Sequence, residues 1–326
     1  MKKFFLMTFV VGLILVTKGF AYETGGYAGS FLRMGLGARA IAMGNAFTAV
    51  PQSAFSGFYN PGGLPFLKRP QLAFSGGILP LDRRHNFIGF AAHLNPRTGK
   101  SGNSPNQNVL EAGLSLGWVN SGVSDIDGRD SNGNPQGMFS SSENAFLFSF
   151  AVKPFSKMAV GFSAKVLYAR LPKVQENNSA LTTRGLGLDF GLMVHPISNM
   201  YVGVVLQDVR SRYTWNTEHV WERGTTTVDR FPKILRVGAS YFFGKKLLLS
   251  AETHYNFEQG WRFNGGAEYV YRNRLIGRVG FKADHLTFGL GINLRLWRLQ
   301  SQLAYAYDAN PVLPWGDQFV TWMITL

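Results

Sequence analysis

The stretch LTFGLGINLRL, residues 286–296, decides the fold class because its side chains alternate between two chemistries. Large apolar residues occupy every second position from Leu286 to Leu296, and threonine, glycine, asparagine and arginine stand between them. Such alternation is typical of a β-strand, whose successive side chains point to opposite faces. Six large apolar residues on one face, opposite small and charged ones, favour a strand of a membrane barrel over one of a soluble sandwich.

The same alternation recurs from residue 70 to the C-terminus, and turn residues separate the alternating segments. Fourteen strands are predicted, over 70–79, 85–94, 109–121, 143–153, 157–170, 183–195, 199–211, 233–243, 246–256, 261–271, 274–283, 285–297, 299–309 and 317–325. Most have the roughly 9–11 residues that a tilted strand needs to cross a bilayer. The sequence therefore predicts an all-β fold over 70–326, a closed antiparallel transmembrane β-barrel of about 14 strands.

The lengths of the connections predict the orientation of this barrel. The long connections at 122–142, 171–182, 212–232 and 310–316 follow odd-numbered strands, and most connections after even-numbered strands are short. Long extracellular loops and short periplasmic turns are the rule in outer-membrane barrels. The polar connection 95–108 is long yet falls on the periplasmic side, so either the strand count slips there or this turn has a partner.

The N-terminus has the features of a secretory signal peptide. Lys2 and Lys3 precede an apolar run over 4–16, and small residues stand at Gly19 and Ala21. The run is too short for a spanning helix, which needs about 20 apolar residues. We expect a Sec-type signal peptide over 1–21, cut after Ala21, and export to the outer membrane.

Composition agrees with an exported barrel and narrows the range of partners. Charged residues make up 16% of the chain, below the roughly 25% of a soluble domain, and cysteine is absent. The net charge of +14 comes from residues spread over strands and loops, and no basic stripe typical of nucleic-acid binding is found. Outer-membrane lipid, lipopolysaccharide phosphates or an anionic solute in the lumen are therefore the expected partners.

Residues 22–69 lack the alternation and are predicted to be a separate N-terminal hatch or plug inside the lumen. A short helix is predicted over 38–49, and Pro51 ends it. Asn60-Pro61-Gly62-Gly63 forms a tight turn. Turn chemistry alone leaves two interpretations open, a rigid hinge inside the lumen or a connection that leads into the first strand.

Several motifs of this segment resemble the N-terminal signature of the PorV/PorQ family. They are Gly37-Ala-Arg-Ala40 with Ala42-Met-Gly44, the stretch 46–50, and Tyr59-Asn-Pro-Gly-Gly-Leu64. Weaker matches at 188–191, 231–238, 266–269 and 288–291 follow in the expected order, so the resemblance covers nearly the whole mature chain. Gly62 replaces the usual alanine, and Pro51-Gln52-Ser53 stands where acidic residues are common.

The resemblance implies a barrel of FadL-like type, with fourteen strands and an N-terminal hatch. It implies two roles: passage of hydrophobic or amphipathic solutes through a lateral opening, or service to type IX secretion or another surface complex as a cargo-binding component. The candidate hatch residues are Gly37, Arg39, Met43, Gly44, Asn60, Pro61 and Gly62. For the partner role, exposed aromatic residues of the outer loops are the candidates, namely Tyr213, Trp215 and Trp221.

Charged residues that alternation assigns to the inward face form a second candidate site. They are Lys165, Asp189, Arg236, Glu252, Glu268, Arg278, Lys282 and Arg295. Charges of both signs inside a protein wall usually pair, so the favoured interpretation is a salt-bridge network that braces the barrel. The alternative is an anion or carboxylate site built from Arg236, Arg278 and Arg295.

The sequence offers little for metal binding or catalysis. Oxygen-bearing side chains recur at Asp125, Asp127, Asp130, Asn132 and Asn134, as in calcium loops, but Gln136 takes the place of the bidentate glutamate. A polar loop is favoured over calcium. Asp284-His285 is a lone acid–histidine pair without a nucleophile. We therefore expect no cofactor and no enzymatic activity, with a barrel hydrolase as the remaining alternative.

Overall fold

The computed structural model describes residues 27–51, 53–94, 111–172, 180–218, 224–296, 299–310 and 315–326. The predicted signal peptide, the connection 95–108 and Trp221 lie outside the described residues. No helix in the described part of the chain is long and apolar enough to cross a bilayer.

Fourteen antiparallel strands close into one barrel, which confirms the predicted fold class. Neighbouring strands pair in chain order, except that β7 pairs with β10 across an inserted hairpin of β8 and β9, and β16 closes the barrel on β1. The strands are β1 Gln71–Leu79, β2 Arg83–Leu94, β3 Glu111–Arg129, β4 Pro135–Phe155, β5 Met158–Leu171, β6 Leu181–Ile197, β7 Met200–Val209, β8 Arg212–Asn216, β9 Thr226–Arg230, β10 Ile234–Phe243, β11 Leu247–Asn256, β12 Gly260–Tyr271, β13 Leu275–Lys282, β14 His285–Leu296, β15 Leu299–Asp308 and β16 Asp317–Thr325.

The wall sorts its side chains as the alternation predicts. In β14, Leu286, Phe288 and Leu290 are exposed on the outside, whereas Thr287 between them is buried. The same holds on β6, where Leu188 and Phe190 are exposed around the buried Asp189. A continuous exposed apolar band of this kind faces lipid in membrane barrels, with the polar positions turned into the lumen.

Two predicted loops contain regular structure. The connection 122–142 is mostly strand, because β3 and β4 continue to Arg129 and from Pro135, with register shifts at Val123/Ile126 and Gly128/Arg129. The connection 212–232 contains the β8–β9 hairpin. Above the bilayer, polar strands satisfy their backbone by pairing with each other, so alternation of apolar residues gives no signal there.

Residues 27–67 form a compact segment of short helices, called here the N-terminal segment. Its elements are α1 Ser30–Arg33, α2 Ala38–Ile41, α3 Ser56–Tyr59 and a 3-10 helix Pro61–Phe66. The helix predicted over 38–49 was wrong beyond Ile41. Gly44 and Asn45 have φ of 64° and 59°, and these left-handed residues turn the chain out of the helix.

The outer band yields a prediction that separates a lipid-facing wall from a water-facing one. Leu290 on β14 and Leu81 in the β1–β2 turn are exposed to almost the same extent, 69% and 70%. We expect Leu290→Arg to lower the free energy of unfolding in lipid vesicles by about 2–4 kcal/mol, because a cation would enter hydrocarbon. Leu81→Arg, the matched control, should change it little. Equal effects in a urea titration would contradict a lipid-facing position for Leu290.

Candidate functional site

The N-terminal segment lies against the inward face of the wall at a series of glycines. A Cβ on Gly280 would lie 2.2 Å from the amide nitrogen of Gly44, and one on Gly203 would lie 2.3 Å from the carbonyl oxygen of Thr48. These wall positions, called here the glycine track, are Gly113, Gly161, Gly191, Gly203, Gly266, Gly280 and Gly289. They leave no room for side chains, so the segment approaches the wall closely on seven of its strands, β3, β5, β6, β7, β12, β13 and β14.

The candidate hatch residues with unusual geometry lie at these contacts. Gly44 has φ of 64°, and a Cβ on it would lie 2.3 Å from the carbonyl oxygen of Phe281. Gly37 also has positive φ, 80°. Met43 is fully buried against Gly266. Gly62 stands where the resembled family usually has alanine. A Cβ added to Gly62 would lie 2.9 Å from the backbone nitrogen of Met193, so this glycine also lies very close to the wall.

Asn60 and Pro61 hold the turn between α3 and the 3-10 helix. The Asn60 side-chain amide donates to the carbonyl oxygens of Thr48 (2.8 Å) and Leu192 (3.0 Å), and its oxygen accepts from the Gly62 amide (2.9 Å). Asn60 therefore links two parts of the segment to β6. Pro61 stands at the start of the 3-10 helix, where its missing N–H costs no hydrogen bond.

Inward polar side chains of the wall satisfy the irregular backbone of the segment. Glu252 accepts from the amides of Phe47 and Thr48, both at 3.0 Å. Wall serines donate to segment carbonyls: Ser250 to Ala46, Ser240 to Ala49, and both Ser149 and Ser163 to Gly57. Irregular backbone is tolerated at membrane depth only where protein groups satisfy it in this way.

Arg39 is the charged anchor of the segment. Its guanidinium makes two hydrogen bonds of 2.8 Å to the two carboxylate oxygens of Glu268 and lies over the ring of Phe47. Burial opposes the charge, but the Glu268 carboxylate keeps the pKa of Arg39 above its usual value. Arg278 donates to the same carboxylate at 2.7 Å, so one glutamate joins two wall strands to the segment.

The other inward charges are paired too. Arg236 binds Glu252 at 2.9 Å and Gln207 at 2.6 Å, and Lys282 binds Asp308 at 2.7 Å. These side chains therefore pair with polar or oppositely charged neighbours of the wall. Arg295 differs, because it is exposed and lies on β14 beside Gln300, near the short turn to β15. The alternative anion site of Arg236, Arg278 and Arg295 is not formed, since the first two are bound to glutamates.

Lys165 forms a buried triad with Asp189 of β6 and Asp208 at the end of β7. Its ammonium lies 2.8 Å from Asp189 and 2.7 Å from Asp208, and Asp189 also accepts from the Asp208 amide. Sequence reasoning missed Asp208, because a register shift between β6 and β7 reverses the inward–outward parity just before it. A pair of polar residues, Gln207-Asp208, at the end of an apolar strand was the available signal.

The triad marks the place where the wall is interrupted. Pairing between β6 and β7 ends at Leu188 and Val209, although β6 pairs with β5 as far as Leu181. Asp208 and Arg210 have φ of 59° and 61°, so the chain leaves the wall there. We call the space between residues 181–187 of β6 and residues 208–214 the lateral gap.

Beyond the gap the chain runs inside the barrel. Gly187 shares the inward face with its register partner Lys165, and a Cβ on Gly187 would lie 2.2 Å from Ser211 Oγ. The start of β8 thus crosses the inward face of β6. Across the gap the Thr183 hydroxyl donates to the Thr214 carbonyl oxygen (2.7 Å) and accepts from its amide (3.1 Å), in place of a regular backbone ladder.

Tyr213 is not the exposed aromatic residue that the sequence suggested. It is buried and packs edge-on against Phe231, with ring centroids 5.0 Å apart, inside the apolar core that the N-terminal segment shares with the wall. Burial raises the pKa of the Tyr213 phenol, so it stays neutral. Trp215 is only partly buried, and its indole donates to Asp229 at 2.8 Å.

A polar cavity of about 500 Å³ lies on the other side of the segment, near the β13–β14 and β15–β16 connections. Its lining includes Arg33, Tyr59, His254, Arg262 and Lys282. The Tyr59 hydroxyl accepts from the Leu36 amide at 2.8 Å, and burial raises the pKa of this phenol. Because Arg33, Arg262 and Lys282 line this cavity, we call it the cationic vestibule.

The oxygens of the calcium candidates Asp127 and Asp130 are engaged within the β3–β4 turn. Asp127 pairs with Arg129 at 2.8 Å, and Asp130 accepts from the amides of Asn132 and Asn134. Bonds from the Asn134 side chain and backbone lower the pKa of Asp130. Among the described residues no group of three or more acidic, histidine or cysteine side chains is arranged for a metal. The side-chain oxygens of Asp130 accept hydrogen bonds that stabilise the β3–β4 turn.

His285 does not form a catalytic arrangement. Its Nδ1 faces Asp284 at 2.6 Å and its Nε2 faces Asp308 at 2.5 Å. Both ring nitrogens are thus engaged by carboxylates, and neither is free to activate a hydroxyl group as a general base. Together with Lys282 this cluster ties β13, β14 and β15 together.

Comparison with known proteins supports the architecture. Similar solved structures are the toluene transporter TbuX of Ralstonia pickettii, the toluene transporter TodX of Pseudomonas putida and a FadL homologue of Pseudomonas aeruginosa. Their TM-scores are 0.55, 0.58 and 0.52 at 14%, 13% and 11% identity. The matches cover 89%, 89% and 88% of this chain and 97%, 97% and 96% of those chains.

At this identity the likeness establishes a shared barrel fold and nothing finer. No protein-family model matches the chain, and no curated protein sequence does either. The resemblance to the PorV/PorQ family therefore stays a prediction from the quoted motifs.

The glycine track yields a matched pair of variants on one strand. Gly280 faces the segment, whereas Gly277 on the same strand β13 has nothing within 4 Å of an added Cβ. We expect Gly280→Val to displace the N-terminal segment and raise ion conductance in planar bilayers, because the valine would collide with Gly44. Gly277→Val should conduct like the parent. Unchanged conductance and unchanged protease resistance of the segment in Gly280→Val would refute the contact.

The triad yields a second prediction. Lys165→Met would leave Asp189 and Asp208 buried together without a cation, and removal of one partner from a buried ion pair costs about 3–5 kcal/mol. We expect a loss of that size in urea unfolding from vesicles, with proteolysis near 209–212. The control is Lys157→Met, whose exposed lysine donates to the Pro196 carbonyl oxygen and to no other group of the described residues. Equal stability of the two variants would mean that the triad does not hold the end of β7.

Proposed function

We propose that the protein is a non-enzymatic outer-membrane channel for small hydrophobic or amphipathic molecules, which leave the barrel through the lateral gap. The observation that carries this proposal is the interruption of the wall between β6 and β7 beside an apolar interior. Leu167, Tyr213 and Phe231 are buried core residues near the gap, and Val209 lines the groove outside it. The fold shared with two toluene transporters supports this choice.

A lateral exit suits an apolar solute for energetic reasons. A molecule that leaves sideways passes from protein into hydrocarbon and never exposes its surface to periplasmic water. Each Å² of apolar surface kept from water is worth about 25 cal/mol, so a molecule of toluene size avoids a cost of several kcal/mol. The cationic vestibule lies at the water-facing mouth and would receive the polar end of an amphipathic solute.

The N-terminal segment acts in this proposal as the plug that closes the straight path through the lumen. Its contacts with the glycine track and its Arg39–Glu268 anchor hold it inside the lumen. A solute therefore crosses only if it turns toward the wall or if part of the segment moves. This arrangement favours a plugged barrel over a general porin with an open aqueous lumen.

The second candidate is an accessory or cargo-binding role in type IX secretion or another surface complex. The β3–β4 hairpin favours it, because strands of 19 and 21 residues exceed the roughly 9–11 needed to cross a bilayer. Met138 near its tip is exposed. Such a projecting hairpin offers a surface for a protein partner, in agreement with the sequence resemblance to the PorV/PorQ family.

A substitution in the gap tests the transport route. Val209 and Val237 both point outward from neighbouring strands, but only Val209 lines the groove at the gap. We expect cells whose outer membrane carries the parent protein to take up radiolabelled toluene and oleate faster than cells that lack it. Val209→Trp should reduce this flux at least fivefold by filling the gap, and Val237→Trp should preserve it.

Other outcomes of the same experiment decide between the candidates. Uptake no faster than that of cells lacking the protein would overturn the channel proposal. Equal flux through the two tryptophan variants would overturn the lateral route. Co-purification of a stoichiometric protein partner in mild detergent, lost when 131–138 is replaced by a short turn, would favour the accessory role.

A further inference from the structure

Five cationic side chains surround the outer side of the lateral gap. Arg184, Arg210, Arg212, Arg230 and Lys233 line one groove of about 890 Å³ and are all exposed. We call this site the cationic groove. It opens at the lateral gap, and its lining includes the exposed Leu186 and Val166 as well as the buried Asp208 and Ser211.

The cations of the groove have no acidic partner in the described part of the chain. Neither an ion pair nor a side-chain hydrogen bond to a carboxylate is recorded for any of the five. Arg212 and Arg230 are direct cross-strand partners in the β8–β9 hairpin. Like charges opposite each other destabilise a strand pair. The nearby carboxylate of Asp229 is engaged by the Trp215 indole.

The groove joins these cations to the apolar band. Leu186 and Val166 are register partners on its floor and are 70% and 52% exposed. Arg184 follows on the same outward face, two residues nearer the long loops. This order, from exposed apolar side chains to cations, is that of a membrane surface, where acyl chains give way to headgroups.

The free edge of β6 adds hydrogen-bonding capacity to the same place. Over 181–187 the ladder to β7 is absent, so backbone N–H groups on that edge face the gap. Phosphate oxygens accept bonds both from such amides and, in pairs, from arginine guanidinium groups. A single phosphorylated ligand could therefore satisfy the edge and neutralise the arginines together.

We propose that the cationic groove binds the phosphorylated headgroup of an outer-leaflet glycolipid of the lipid A type. The acyl chains of this lipid lie on Leu186, Val166 and Leu188, and its phosphates lie among Arg184, Arg210 and Arg212. The match of charge and the continuity with the apolar band favour a membrane lipid over a soluble anion. The lipid covers the outer side of the lateral gap, which the protein backbone leaves open.

A binding experiment with a matched charge control tests this proposal without any measurement of transport. The full-length barrel in a neutral detergent is titrated with bisphosphorylated lipid A and followed by native mass spectrometry. The triple variant Arg184→Gln, Arg210→Gln, Arg212→Gln should bind about tenfold more weakly. The control variant Arg272→Gln, Arg274→Gln, Arg295→Gln removes three arginines from a groove near the short turns and should bind within about twofold of the parent.

Two further ligands identify what is bound. Lipid A stripped of its phosphates should bind at least tenfold more weakly to the parent, and inorganic phosphate at millimolar concentration should not displace lipid A. Equal binding of the dephosphorylated lipid, displacement by inorganic phosphate, or equal loss in the control variant would each overturn the proposal. Heat-dependent gel mobility shows that each variant is folded. Because toluene flux is measured separately, failure of lipid binding and failure of the channel proposal are distinguishable.

Discussion

The whole structure depends on one constraint: backbone N–H and C=O groups surrounded by hydrocarbon must find partners within the protein. The closed ring of fourteen strands meets it for the wall. The same constraint governs the lumen, where a segment of short helices leaves many backbone groups outside regular structure. Serine, threonine, glutamate and asparagine side chains supply the missing partners, as Glu252 does for two consecutive amides.

Wall and N-terminal segment are complementary in shape and charge. Where the segment approaches as bare backbone, the wall presents glycine, and where the segment presents Arg39, the wall presents Glu268. Most inward charges of the wall pair with each other or with Arg39 of the segment. The cations that pair with no carboxylate of the described residues line the groove at the lateral gap instead, so the two groups of charges have different physical roles.

Sequence reasoning was most successful where the bilayer imposes alternation. The strand predicted over 285–297 is β14 His285–Leu296, and that over 317–325 is β16 Asp317–Thr325. Sequence reasoning failed where the strands extend beyond the bilayer and apolar residues no longer alternate, as in the polar ends of β3 and β4 near the turn that joins them. It also missed Asp208, because a bulge interrupts the inward–outward alternation of side chains there. It placed Tyr213 outside, because the hairpin folds inward through positive φ angles at two non-glycine residues, which residue type does not predict.

The contacts of the N-terminal segment also constrain the order of biogenesis. The Ala38 amide donates to the Thr321 hydroxyl of β16 at 2.7 Å, and Gly35 meets His85 of β2, so the segment touches strands on both sides of the β1–β16 seam. Synthesis runs from the N-terminus, and β16 is the last strand made. The glycine track leaves no clearance for threading a folded segment through a finished ring. Closure of the seam around a segment already in place avoids this threading step.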